Sequence, residues 1–195
     1  MTVEPLRQSF RRRLRESALE IAHELTIEQG WDRVRVSEVA SRTGVSRPTI
    51  YKEFGDKQGL GESLILRETE RFLVGVAHAL QTHPDDLPAG IAAAVQLTLE
   101  RAAASPLLRA TLTSARGVDA LLPALTTRSA PVLSTASELL HAWFTEQLPD
   151  RDPGELREAV DALVRLTVSH IVLPAHDHAE TARRLSAIAL RYLNL

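Results

Sequence analysis

The residues with the most suggestive chemistry fall in one run, VSEVASRTGVSRPTIYKEFGDK, from Val36 to Lys57. Arg47, Thr49, Tyr51 and Lys52 crowd hydrogen-bond donors into a short stretch of helix-compatible sequence. An Arg guanidinium can fork onto a guanine edge, a Thr hydroxyl or methyl can meet a base, and Tyr and Lys can hold phosphates. That chemistry is recognition of a polyanion rather than bond making. Glu53 cuts against it, because a carboxylate beside phosphates is repulsive unless it accepts from a cytosine amine or points away. Asp56 can cap a helix beginning near Lys57, so that free backbone N–H groups and the Lys ammonium would face the same phosphate. The Arg11, Arg12 and Arg13 cluster suits either an arm entering a minor groove or a solvated run.

Other reactive patterns are incomplete. His23-Glu24 begins like a zinc-protease helix, yet Ile27 stands where a second His ligand is required. Gly59-Leu60-Gly61 lacks the preceding strand and the later Gly of a dinucleotide loop, and the chain has no Gly-Lys-Ser/Thr phosphate loop. His176-Asp177-His178 could ligate a metal or simply form a hydrophilic turn between helices. With no Cys there is no disulfide, thiolate metal site or cysteine nucleophile. The sequence therefore predicts no catalytic residues, no metal and no cofactor.

The elements that must position the donors follow from spacing. Phe10, Leu14, Ala18, Ile21 and Leu25 recur at helical steps, and Gly30 can close that first helix. Ser37 can cap a second helix, Gly44 supplies the positive φ of a tight turn, and Ser46 can cap a third helix with Pro48 in its first turn. Val39, Val45, Ile50 and Phe54 would then bury against the first helix. The arrangement is a helix-turn-helix by spacing, or an ordinary helical corner with the same caps.

The segment GVSRPTIYKEFGDKQGL, preceded by VSEVA and a helix ending at Gly30-Trp31, resembles the N-terminal DNA-binding domain of the TetR/AcrR family of bacterial transcriptional repressors over about residues 10–67. The resemblance implies a three-helix DNA-binding domain at 1–67 and a larger helical ligand-binding and dimerisation domain at 68–195. It also implies that Tyr51 and Lys57 touch phosphates while Arg47, Pro48 and Thr49 approach bases. The expected DNA-binding set is Ser37, Ser46, Arg47, Pro48, Thr49, Tyr51, Lys52 and Lys57. Where the family often has His before the Phe, this chain has Glu53.

The rest of the chain reads as all-α, with helices expected over Lys57–Leu80, Asp86–Ala104, Pro106–Ser114, Leu122–Gln147, Gly154–Leu173 and Ala179–Leu193, and a kink or break at Pro131. Residues 1–67 carry 12 basic against 10 acidic side chains, and 68–195 carry 11 against 15, so only the front is mildly basic. Arg outnumbers Lys 21 to 2, and both lysines lie in the front part. No apolar run approaches the roughly 18 residues of a membrane span, and a cytoplasmic location is expected. Apolar Phe72, Val76, Leu97, Leu112, Trp143 and Phe144, with polar Thr98, Arg109, Arg116, His141 and His170 embedded among them, suit a site for a small, mostly apolar molecule. The expected ligand-binding set is Phe72, Val76, Leu97, Arg109, Leu112, Trp143 and His170. The apolar stripes Leu156, Val160, Leu163, Val164, Val168 and Leu185, Ile188, Ala189, Tyr192 predict a homodimer through the last two helices, with burial inside one chain as the alternative. The function expected is a ligand-responsive repressor that binds a palindromic double-stranded operator as a homodimer and is released by its effector. The alternative is a helical small-molecule enzyme or carrier in which the Val36–Phe54 corner is purely structural.

Overall fold

A computed structural model describes residues 6–113 and 129–195; the side chains of residues 6, 7, 110–113 and 129–131 lie outside that description. Among the described residues there are nine α-helices and no strand: α1 Leu6–Gln29, α2 Val36–Thr43, α3 Arg47–Phe54, α4 Lys57–Gln81, α5 Leu87–Ala104, α6 Pro106–Thr113, α7 Ser129–Gln147, α8 Pro153–Val172 and α9 His178–Tyr192. A single 3-10 turn, Trp31–Arg33, joins α1 to α2. The chain divides into two compact units, with the break inside α4 between Arg67 and Glu68.

In the first unit the apolar stripe of α1 begins at Leu14 and continues through Ala18, Ala22 and Leu25. Phe10, expected on that stripe, is 63% exposed because it lies a turn ahead of the first buried residue. Ile21 and Val45 are only half-buried. Gly44 closes α2 in the left-handed region at φ 73°, ψ 26°, and its N–H reaches back to the helix's last carbonyls. Ser46 caps α3 as expected, accepting from the Thr49 N–H at 3.4 Å, with Pro48 in the first turn. Ser37 does not cap α2. The cap position is Arg35, with no side-chain bond to the helix, and Ser37 is already helical. The buried Val36 accounts for the shift: bringing it into the core starts the helix two residues earlier.

The α3–α4 corner is the tightest feature of this unit. Asp56 caps α4 by accepting from the Gly59 N–H at 2.8 Å, and a Cβ at Gly59 would stand 2.0 Å from the Phe54 carbonyl oxygen. Only glycine allows α3 to end this close to the start of α4. Gly59 of the Gly59-Leu60-Gly61 sequence thus has a packing reason.

The second unit is a helical body around one continuous core that includes Phe72, Leu80, Ile91, Phe144, Leu156 and Leu185. Asp86, Asp152 and Asp177 cap α5, α8 and α9 through their carboxylates. Pro131 introduces no break within the described part of α7, which runs through it from Ser129 to Gln147; residues 122–128 of the expected helix lie outside the described residues. The stripes expected to meet a second copy are mostly used internally. Leu156, Val160, Leu163, Leu185 and Ala189 are all buried within the chain, because α9 packs on α5 as well as on α8. Of the residues named for the dimer, Ile188 and Tyr192 remain about half-exposed, at 46% and 48%.

Replacing Gly59 by Ala should destabilise the first unit by about 1–3 kcal/mol, the cost of overpacking against atoms that cannot swing away. The check is the unfolding midpoint by circular dichroism, and an unchanged midpoint would contradict the close approach.

Candidate functional site

An eight-residue helix has little apolar surface of its own, and α3 buries just Ile50 and Phe54. Charged contacts supply the rest of its anchorage. Glu53, whose side chain is 8% exposed, accepts from Arg11 Nε at 2.6 Å and from an Arg15 terminal nitrogen at 3.3 Å. The guanidinium of Arg15 also lies 4.9 Å from the centre of the Phe54 ring and donates to Ser63 Oγ on α4 at 2.9 Å. One side chain of α1 therefore fixes both the end of α3 and the first turns of α4. It also neutralises the carboxylate that the sequence left as an obstacle to a polyanion. Arg11, Arg12 and Arg13 are part of α1 rather than an extended arm, and Arg11 is committed to Glu53. Arg67, 7% exposed, bonds Glu20 at 3.0 Å and Glu16 at 3.3 Å, tying α4 to α1 a second time.

Held this way, α3 turns Arg47, Pro48, Tyr51 and Lys52 outward. Ser46 and Thr49 are bonded to each other through their hydroxyls at 2.8 Å. An open cleft of about 780 Å³ includes Arg33, Arg35, Ser37, Arg47, Tyr51 and Lys57 in its wall. The cleft lies at the start of α2, where free N–H groups and the helix dipole favour an anion. Ser37 thus reaches the cleft although it is no cap. Arg33 and Arg35 were not singled out from the sequence. Their signal was present, since two arginines flank a short turn just before a helix start, but only the fold brings that turn beside Arg47 and Tyr51. The Lys57 ammonium donates to the Asp32 carbonyl at 2.9 Å and lies 5.3 Å from the Trp31 ring centre. One of its donors is spent on the turn, and the others stay available to a ligand in the cleft.

In the second unit a partly open apolar cavity of about 50 Å³ sits among α4, α5, α7 and α8, with Phe72, Val76, Val95, Leu140, Leu163 and Ile171 in its wall. Its two polar residues, Thr98 and Thr167, each donate to the carbonyl four residues back at 2.8 Å, so neither hydroxyl hydrogen is free. Phe72 and Val76 are therefore cavity residues, whereas several others expected there are elsewhere. Leu97 packs on Gly75 of α4. Trp143 is buried edge-on to Phe144, with ring centres 5.5 Å apart, and covers Gly90. Arg109 is exposed, and His170 is half-buried but off the cavity wall, its Nδ1 without a hydrogen bond. His141 faces the Pro153 carbonyl at 3.3 Å. The side chain of Leu112, and Arg116 altogether, lie outside the described residues. An open groove of about 760 Å³ adjoins the cavity between α7 and α8, lined in part by Ser134, Ser137, Glu138, Asp161, Arg165 and Ser169. The hydrogen bond from Arg165 holds the Asp161 carboxyl below the usual carboxylate range.

Two members of the candidate metal triplet are otherwise engaged. Asp177 caps α9 by accepting from the Glu180 N–H at 2.8 Å, and His176 pairs with Arg184 at 2.8 Å. No group of three or more metal-ligating side chains occurs among the described residues.

Residues 18–64 match the family described as bacterial regulatory proteins, tetR family, and residues 86–191 match the bacterial tetracyclin repressor C-terminal domain. The chain belongs to the TetR family. As a TetR-family transcriptional regulator it is 31% identical over 192 residues to the HTH-type transcriptional regulator AlkX of Mycobacterium tuberculosis, covering 96% of this chain and 90% of that one. The crystal structure of the TetR-family repressor AlkX from a Dietzia strain, described as implicated in biodegradation of n-alkanes, is 28% identical with a TM-score of 0.67, covering 91% of this chain and 96% of that one. A TetR-family regulator from Streptomyces coelicolor, 17% identical, shares the fold with a TM-score of 0.70 over 94% of this chain and 81% of its own. The helix-turn-helix of the family is thus α2–Gly44–α3, and no described helix is long and apolar enough to cross a membrane.

Replacing Arg15 by Ala should lower affinity for every DNA sequence by about tenfold while leaving the salt dependence of binding unchanged, because Arg15 holds Glu53 and Ser63 rather than a phosphate. Fluorescence anisotropy over a salt series checks this, and a shallower salt slope would make Arg15 a phosphate contact instead.

Proposed function

We propose that this protein is a ligand-responsive transcriptional repressor of the bacterial cytoplasm that binds a palindromic operator as a homodimer and is released by a small, mostly apolar effector. The observation that carries the reading is the cleft in the first unit, where Arg33, Arg35, Arg47, Tyr51 and Lys57 converge beside the outward face of α3. In this reading Arg47, Pro48 and Thr49 read base edges in the major groove, while Tyr51, Lys52, Lys57 and Ser37 position the backbone. Ser46 acts through its cap on α3.

The homodimer uses what the core leaves over. Ile188, Tyr192 and Leu195 at the end of the chain and Val172 and Leu173 at the end of α8 are exposed apolar side chains at 46–74%, an apolar surface that a second copy would cover by two-fold symmetry. Release by an effector works through α4, whose 25 residues begin with Lys57 and include Phe72 and Val76 of the cavity wall. An effector that prefers the DNA-incompetent state about 100-fold supplies roughly 2.7 kcal/mol of coupling, and DNA must weaken effector binding by the same factor. The apolar cavity supports an aliphatic effector, as does the n-alkane context of the Dietzia relative.

Two substitutions separate the DNA roles on the intergenic DNA flanking the protein's own gene. Lys57→Gln, which keeps a donor for the Asp32 carbonyl, should weaken all sequences alike and lower the salt slope by about one; Arg47→Ala should cost about 1–3 kcal/mol and relax one operator position. Unchanged binding by both variants would refute the assignment. Sedimentation at micromolar concentration should show a dimer, and Ile188→Glu with Tyr192→Glu should return it to monomer; a wild-type monomer with and without DNA would remove the two-fold reading.

A further inference from the structure

The cavity is too small to be the whole ligand site. Its 50 Å³ falls far below the roughly 300–1,000 Å³ of pockets that hold drug-sized molecules. Leu133, Val164 and Val168 belong both to its wall and to the wall of the 760 Å³ groove between α7 and α8. A molecule larger than a few carbons must therefore continue from one into the other, past those three side chains.

The two compartments ask for different chemistry at the two ends of that molecule. The cavity offers carbon surface and two threonines whose hydroxyl hydrogens are already given to their own helices, so it has no free donor for an anionic or carbonyl head and suits the hydrocarbon end of a ligand. The groove offers the hydroxyls of Ser134, Ser137 and Ser169, none of which is bonded to another described residue. Among the described residues its charges are two carboxylates, Glu138 and Asp161, against one guanidinium, Arg165, which is bonded to Asp161 at 2.7 Å. A further anion entering there meets net negative charge and a cation already engaged, whereas a neutral hydroxyl can both donate and accept among the serines.

From this we infer that the effector is a neutral aliphatic amphiphile of the primary-alcohol class, its chain end in the cavity and its hydroxyl in the serine groove between α7 and α8. The inference rests on the effector-responsive reading above and narrows it: the groove selects against carboxylate heads, and the cavity takes the hydrocarbon end. Seating the chain widens the gap between Leu133 on α7 and Val164 and Val168 on α8, which places the ligand-driven movement at that helix pair.

The test uses the full chain without DNA and three probes of equal length, 1-octanol, n-octane and octanoate, titrated calorimetrically at neutral pH. The alcohol should bind at least about tenfold more tightly than either other probe, a difference of about 1.4 kcal/mol. Octanoate binding as tightly as the alcohol, or no binding by any probe, overturns the inference. Glu138→Lys, a change at an exposed site, should move the preference toward octanoate by about tenfold, while Ser137→Ala should weaken the alcohol several-fold and leave octane alone. A preference indifferent to both substitutions places the head outside the groove and also overturns it. Adding 1-octanol to the protein–DNA complex separates the two readings: alcohol binding without DNA release supports this site and refutes the repressor mechanism alone.

Discussion

Arg15 is the side chain on which the geometry of the first unit turns. Helices as short as α2 and α3 are marginal by themselves, since the first turn of any helix costs more conformational entropy than its hydrogen bonds return. The guanidinium of Arg15 joins α1 to Glu53, to the face of Phe54 and to Ser63 in one planar group. A lysine could not replace it, because a single ammonium cannot make a fork and lie flat on a ring at once. The Gly59 approach and the Ser46 cap then fix the two ends of α3. The outward donors are rigidly presented because everything behind them is tied down.

Local chemistry was legible in the sequence and long-range pairing was not. The Gly44 turn, the Ser46 cap and Pro48 could be read because each depends on backbone conformation within a few residues. The helical extents of the second unit were close for the same reason. What failed needed knowledge of a distant partner. Ser37 is a good cap by type, yet the burial of Val36 decides where α2 begins. Glu53 looked misplaced beside phosphates until Arg11 and Arg15, about 40 residues earlier, were seen to pair with it. Apolar periodicity on α8 and α9 showed that those faces are buried, but periodicity cannot say whether the burying surface belongs to α5 or to another molecule.

The candidate ligand site shows the same limit in another form. Phe72 and Val76 are on the cavity wall and Trp143 is not, although all three are buried aromatic or branched residues on helices that pack together. A cavity is a failure of packing at one place, set by the sum of many side-chain volumes, and residue type alone carries little information about it. The serines of the α7–α8 groove were invisible for the opposite reason: nothing about Ser134, Ser137 or Ser169 is unusual until the fold lines them up beside Val164 and Val168.

The two lysines carry a further consequence. Among Lys and Arg, all 21 others are arginine, whose charge is permanent at any physiological pH, whereas a lysine amine can be acylated and so neutralised. Lys52 is exposed on α3 and Lys57 stands at the edge of the cleft. Within this sequence, acyl transfer to a lysine side chain therefore has only these two targets, both in the helix-turn-helix unit. Covalent chemistry that erases positive charge can act on this protein just where that charge would be used.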